Sequence, residues 1–158
     1  MTGEATVVMF AWGNPSRGDD GVGPWFADRF RNRVGSRLAL VEDFQLQVEH
    51  LLDCRRGQLL LFIDACGGDH GDYRFTRLGE SSNLAHTSHA LSPEELLGQY
   101  RRVLGEVAPP AFLLAIPGED FELGSAMSPA TRACCGRGAV LVESLLANAT
   151  CKNWMQRA

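Results

Sequence analysis

Apolar residues in this chain fall into short unbroken runs, separated by polar stretches in which apolar residues recur every three or four positions. The first run, Val7-Val8-Met9-Phe10-Ala11-Trp12, predicts a buried strand over residues 6–12. Helical spacing follows, with Val22, Trp25, Phe26 and Phe30 in phase and Pro24 suited to a first helical position. Residues 38–41 predict a second, short strand, and residues 47–56 a short helix with Val48, Leu51 and Leu52 on one face. Residues 59–63 predict a third strand. Its apolar run lacks alternation, which suits burial on both faces in a parallel sheet. A further strand over residues 73–78 follows the turn Gly67-Gly68-Asp69-His70-Gly71. That connection is too short for a helical crossover, so these two strands, if neighbours, must be antiparallel.

The next helix has the clearest start. Ser92 and Glu95 form an S-x-x-E capping box, Pro93 takes the first helical position, and Leu91 and Leu96 suit a hydrophobic staple. It should run to about Leu104 and stop near Gly105. Residues 111–116 predict the last strand, and Ser128-Pro129 opens a C-terminal helix. Gly136 and Gly138 each weaken that helix by about 1 kcal/mol against alanine, which points to close packing there. The sum is a single α/β domain over residues 1–158. It is a three-layer sandwich with a twisted, mostly parallel sheet of about five strands, one of them antiparallel, and helices on both faces.

Composition narrows the partners. A length of 158 residues supports one sizeable core. The net charge is −4 with no basic block, which argues against nucleic acid. The apolar runs at residues 59–63 and 111–116, like the one at 7–12, are too short to span a bilayer. Met1-Thr2-Gly3-Glu4 lacks the basic region of a signal peptide, so a cytoplasmic location is the default expectation. Cys54, Cys66, Cys134, Cys135 and Cys151 show no C-x-x-C spacing, which argues against a zinc knuckle and for free thiols.

Candidate chemistry gathers at strand ends. The loop Gly13-Asn14-Pro15-Ser16-Arg17-Gly18-Asp19-Asp20-Gly21-Val22-Gly23-Pro24 follows the first strand, where an α/β sheet places its ligands. Asp64 ends the third strand, and His89 lies in the loop before the Ser92-capped helix. If the first and third strands are adjacent, Asp20, Asp64 and His89 can converge. Two carboxylates and an imidazole can bind a borderline divalent metal with positions left open. They can also run acid–base hydrolysis. Plainer roles exist for each: Asp19 or Asp20 as a helix cap, Asp64 as a loop acceptor, His89 as a surface histidine with His86 as its rival. Cys66 is either a nucleophile or a structural cysteine. The vicinal Cys134-Cys135 pair fits a core. The loop is neither G-x-G-x-x-G nor a P-loop, and no G-x-S-x-G elbow occurs.

The segment Gly13-Asn14 … Gly18-Asp19-Asp20-Gly21-Val22-Gly23 resembles the G-x-G-N-x-x-x-x-D-[DE]-G-x-G signature of the [NiFe]-hydrogenase maturation endopeptidases. Phe62-Ile63-Asp64-Ala65, Ser88-His89, Ile116-Pro117-Gly118, Phe121-Glu122-Leu123-Gly124 and Met127-Ser128-Pro129 resemble later segments of that family, in order. The resemblance spans residues 7–146. It departs at Ala11, where the first glycine of the signature stands, and at Asp20, where some members carry Glu. It implies an endopeptidase that removes the C-terminal extension of the hydrogenase large-subunit precursor once nickel has been inserted. It also implies that Asp20, Asp64 and His89 contact a nickel ion brought by that precursor and not stored by the enzyme. Asp19 is then left to shape the loop or cap the helix. Pro15-Ser16-Arg17 and the compact length are most similar to the branch serving cytoplasmic NAD-linked hydrogenases. An assembly chaperone on the same scaffold, or a small-molecule metallohydrolase, are the alternatives.

Overall fold

A computed structural model describes residues 3–67, 71–81 and 91–158. Five strands, β1 (Thr6–Trp12), β2 (Leu38–Asp43), β3 (Gln58–Cys66), β4 (Arg74–Arg77) and β5 (Ala111–Pro117), form one sheet in the order β2-β1-β3-β5-β4. The first four in that order are mutually parallel, and β4 runs antiparallel to β5. The three strands with unbroken apolar runs, β1, β3 and β5, are the inner ones, since only inner strands bury both faces. Phe10 of β1 lies between Val41 and Phe62 in the register.

Side-chain alternation along β1 and β3 feeds two separate cores. Val7, Met9, Leu61 and Ile63 pack with Phe26 and Phe30 of α1 (Val22–Phe30), with Val142 of α3 (Pro129–Ala147) and with Trp154 of α4 (Cys151–Arg157). Val8, Phe10, Leu60 and Phe62 pack with Leu96 and Tyr100 of α2 (Pro93–Leu104) and with Leu51. Each such side chain, fully buried, contributes about 1.5–3 kcal/mol. This is the expected three-layer α/β sandwich with one antiparallel strand. Among the described residues no helix is long and apolar enough to cross a membrane.

Local signals hold where they are self-contained. Ser92 Oγ accepts the Glu95 N–H at 3.1 Å, the Glu95 carboxylate accepts the Ser92 N–H at 3.4 Å, and Gly105 closes α2 at φ 70°. Ser92→Ala should cost about 1 kcal/mol of stability in urea denaturation, and an unchanged midpoint would count against the cap. At Gly138 a Cβ would sit 3.1 Å from both the Phe26 ring and Ile116, which explains a glycine inside α3. Gly136 faces open space and has no such reason.

Four expectations change. The strand expected over residues 73–78 is only Arg74–Arg77, and it pairs with β5, not with β3. The helix expected over residues 47–56 is a short 3-10 segment, Val48–Asp53, with Val48 and Leu52 exposed and His50 and Leu51 buried. Six residues make too few turns to set one apolar face. Helix α1 starts at Val22, which puts Pro24 third; its missing N–H costs nothing there, because the first helical N–H groups have no intrahelical partner. Helix α4 is additional. It buries Trp154 completely, with its indole N–H on the Leu145 carbonyl at 3.0 Å.

Candidate active site

The loop after β1 is built by backbone crowding. Gly13 has φ +141°, and a Cβ there would lie 2.1 Å from the Asp20 carbonyl oxygen. At Gly23 a Cβ would lie 2.2 Å from the Trp12 carbonyl oxygen, so the first turn of α1 presses on the end of β1. The space between is filled by a 3-10 turn, Gly18–Gly21, which packs against β3.

The two adjacent acids on that turn have different surroundings. Asp19 is fully buried. One of its carboxylate oxygens accepts the N–H groups of Glu119 (2.7 Å) and Asp120 (3.0 Å) and the Ser128 hydroxyl (2.9 Å); the other accepts the Ser128 N–H (2.7 Å). Burial pushes its pKa up, but these donors outweigh it and hold the carboxyl at about 2. The Asp19 N–H donates to the Asp120 carbonyl and the Gly18 N–H to the Ser125 carbonyl. Asp19 thus ties the loop after β1 to the loop after β5, and no side chain caps α1.

Asp20 is half-buried, and its Oδ2 accepts the Asn14 N–H at 2.7 Å. Asn14 Oδ1 in turn accepts the Ser16 N–H at 2.9 Å, which fixes the loop around the carboxylate. Asp64 stands on β3, paired with Ala115 of β5. Burial, and then the negative charge of Asp20, push Asp64 up to about 7; the Ala65 N–H offsets this in part. The adjacency of β1 and β3 therefore brings Asp20 and Asp64 together at the carboxyl ends of the strands. A carboxyl that titrates near 7 can take or give a proton at neutral pH, which the usual carboxylate cannot do efficiently.

His89 lies outside the described residues, as do His70 and His86. Among the described residues no three His, Cys, Asp or Glu side chains gather to hold a metal ion. Cys66 is half-buried, and burial together with the Asp64 charge pushes its thiol up, so it is held away from the reactive thiolate. Cys134 and Cys135 are core residues.

Sequence reasoning passed over Asp43 and His50. His50 is buried, with Nε2 facing Asp43 Oδ2 at 3.3 Å and Nδ1 accepting the Gln47 N–H at 2.9 Å. The Asp43 carbonyl accepts the Gly13 N–H at 3.2 Å, so the end of β2 anchors the start of the acid loop. Nothing in the spacing of these residues announces that link, because it exists only once β2 lies beside β1.

The site and sheet define an α/β protein with paired acids at the carboxyl ends of its central strands. No family model and no curated protein matches the sequence. Solved structures do match, over most of the chain. The [NiFe] hydrogenase maturation protease HycI from Thermococcus kodakarensis KOD1 is similar at a TM-score of 0.69 and 20% identity, covering 93% of this chain and 96% of that one. The hydrogenase maturating endopeptidase HybD from E. coli gives a TM-score of 0.69 at 17% identity over 89% of this chain and 91% of its own. A hydrogenase 2 maturation peptidase from a Thaumarchaeota archaeon gives 0.61 at 20% identity over 90% and 98%. This chain has the fold of those proteases.

Proposed function

We propose that this protein is an endopeptidase that removes the C-terminal extension of a nickel-loaded [NiFe]-hydrogenase large-subunit precursor. The observation that carries the proposal is the Asp20–Asp64 pair, with Asp64 held at about 7, on this fold. Asp20, Asp64 and His89 supply oxygen and nitrogen ligands of a kind that suits nickel. The ion arrives in the precursor as part of the substrate, and three ligands leave positions for those the precursor already provides. In the cut, water attacks the scissile carbonyl carbon while a carboxylate takes its proton. The C–N bond then breaks, and that proton goes to the leaving amine. Pro15-Ser16-Arg17 supports a precursor from the NAD-linked class of hydrogenase.

Mass spectrometry of the nickel-loaded precursor, incubated with and without this protein, tests the reading. The expected result is loss of a C-terminal fragment with wild-type protein. Asp20→Asn and His89→Ala should fold and cut at least about a hundredfold more slowly. Wild-type rates in both would remove these residues from the site. A precursor that is bound but keeps its mass would mark an assembly chaperone.

A further inference from the structure

The end of β2 forms a feature that the acid pair does not use. A groove of about 290 Å³ opens there, lined by Ala11, Pro15, Pro24, Glu42, Asp43 and Phe44. Phe44 is 67% exposed on its rim. Asp43 is held at three points. Its Oδ1 accepts the Phe44 N–H at 2.7 Å, its carbonyl accepts the Gly13 N–H at 3.2 Å, and its Oδ2 faces His50 Nε2 at 3.3 Å. Glu42 is engaged by the Arg31 guanidinium at 2.6 and 2.9 Å. Both acids of the groove are thus already partnered, and neither is left to select a cation. What faces an incoming chain is two prolines and a phenyl ring, with Ala11 buried behind them, so the favoured occupant is apolar.

Size and position narrow that occupant further. The volume suits one or two side chains and not a folded element. A smaller hollow of about 110 Å³, lined in part by Ala5, Val7 and Leu38, lies at the opposite, amino end of the strands, away from the acids. The larger groove instead shares its wall with the acid loop. Between its lining residues Ala11 and Pro15 stands Asn14, whose N–H holds the Asp20 carboxylate at 2.7 Å. The groove therefore adjoins the loop that carries Asp20.

We infer that this groove is a substrate subsite, which receives one large apolar side chain of the precursor's extended C-terminal segment, with Phe44 as its outer wall. The inference rests on the peptidase reading and adds to it a residue that selects the substrate. It is tested by measuring precursor cleavage over a range of concentrations, and precursor binding separately, for wild type, Phe44→Leu, Phe44→Asp and Val140→Asp. Val140 is 72% exposed on α3 and serves as the control. Phe44→Asp should raise KM and weaken binding by about tenfold, Phe44→Leu by no more than about threefold, and Val140→Asp should change neither. Melting temperatures should stay together, since both side chains are exposed. Wild-type KM and binding in Phe44→Asp would overturn the subsite and leave the peptidase standing. Binding that is lost in Phe44→Asp, with no cleavage by wild type, would overturn the peptidase and leave the groove.

Discussion

Under the proposed function, Asp64→Asn is expected to yield a protein that does not trim the precursor and yet is more stable than wild type at about pH 8. The physical reason is the position of Asp64, where burial and the charge of Asp20 hold its pKa at about 7. A carboxyl whose pKa rises on folding binds its proton more tightly in the folded chain than in the unfolded one. Its contribution is therefore most favourable below about pH 4, is lost as pH rises from about 4 to about 7, and stays constant above that. The amide cannot ionise, so the variant escapes the loss. The gain at about pH 8 should be roughly 2–4 kcal/mol, reduced by whatever hydrogen bonds the amide fails to make. Near pH 4 the two proteins should melt together. Thermal unfolding of the metal-free proteins at both pH values checks this. A variant no more stable than wild type at the higher pH would show that Asp64 is not strained by its surroundings.

Asp19→Ala is expected to do the reverse and destabilise the fold by at least about 3 kcal/mol. The substitution strips the acceptor from the Glu119, Asp120 and Ser128 N–H groups and from the Ser128 hydroxyl. Buried donors left without a partner cost more than the bonds themselves were worth. The same carboxyl gives the wild type a dependence on acid. Because its pKa is depressed to about 2, the stability it supplies is present above about pH 4 and is lost as pH falls towards 2. Urea denaturation at neutral pH measures the first effect and an acid titration the second. A loss below about 1 kcal/mol would mean that the two loops hold together without Asp19. Neighbours of identical chemistry, Asp19 and Asp20, thus separate: Asp19 is buried and bonded across two loops, while Asp20 is half-buried with its charge felt by Asp64.

That separation shows where the sequence runs out. Asp19 and Asp20 share residue type, loop and distance from the strand. The bond that distinguishes them joins Asp19 to Ser128 across a separation of 109 residues. The placing of β4 beside β5 rather than β3, the shortness of the Val48–Asp53 segment and the Asp43–Gly13 anchor share that character. Each depends on which elements become neighbours, and no window of a few residues contains that information.

What the sequence determined by itself was local. The cap of α2 at Ser92 and Glu95, and its stop at Gly105, rest on bonds between residues three or four apart. The burial of β1 and β3 follows from apolar runs with no polar face, which can rest only inside a sheet. The sequence also placed Asp20 and Asp64 at the carboxyl ends of strands. Only the tertiary structure put those strands side by side, and with that the charge of one carboxylate came to act on the other. Burial and proximity, which set the proton affinity of Asp64, are properties of the packed chain and not of any segment.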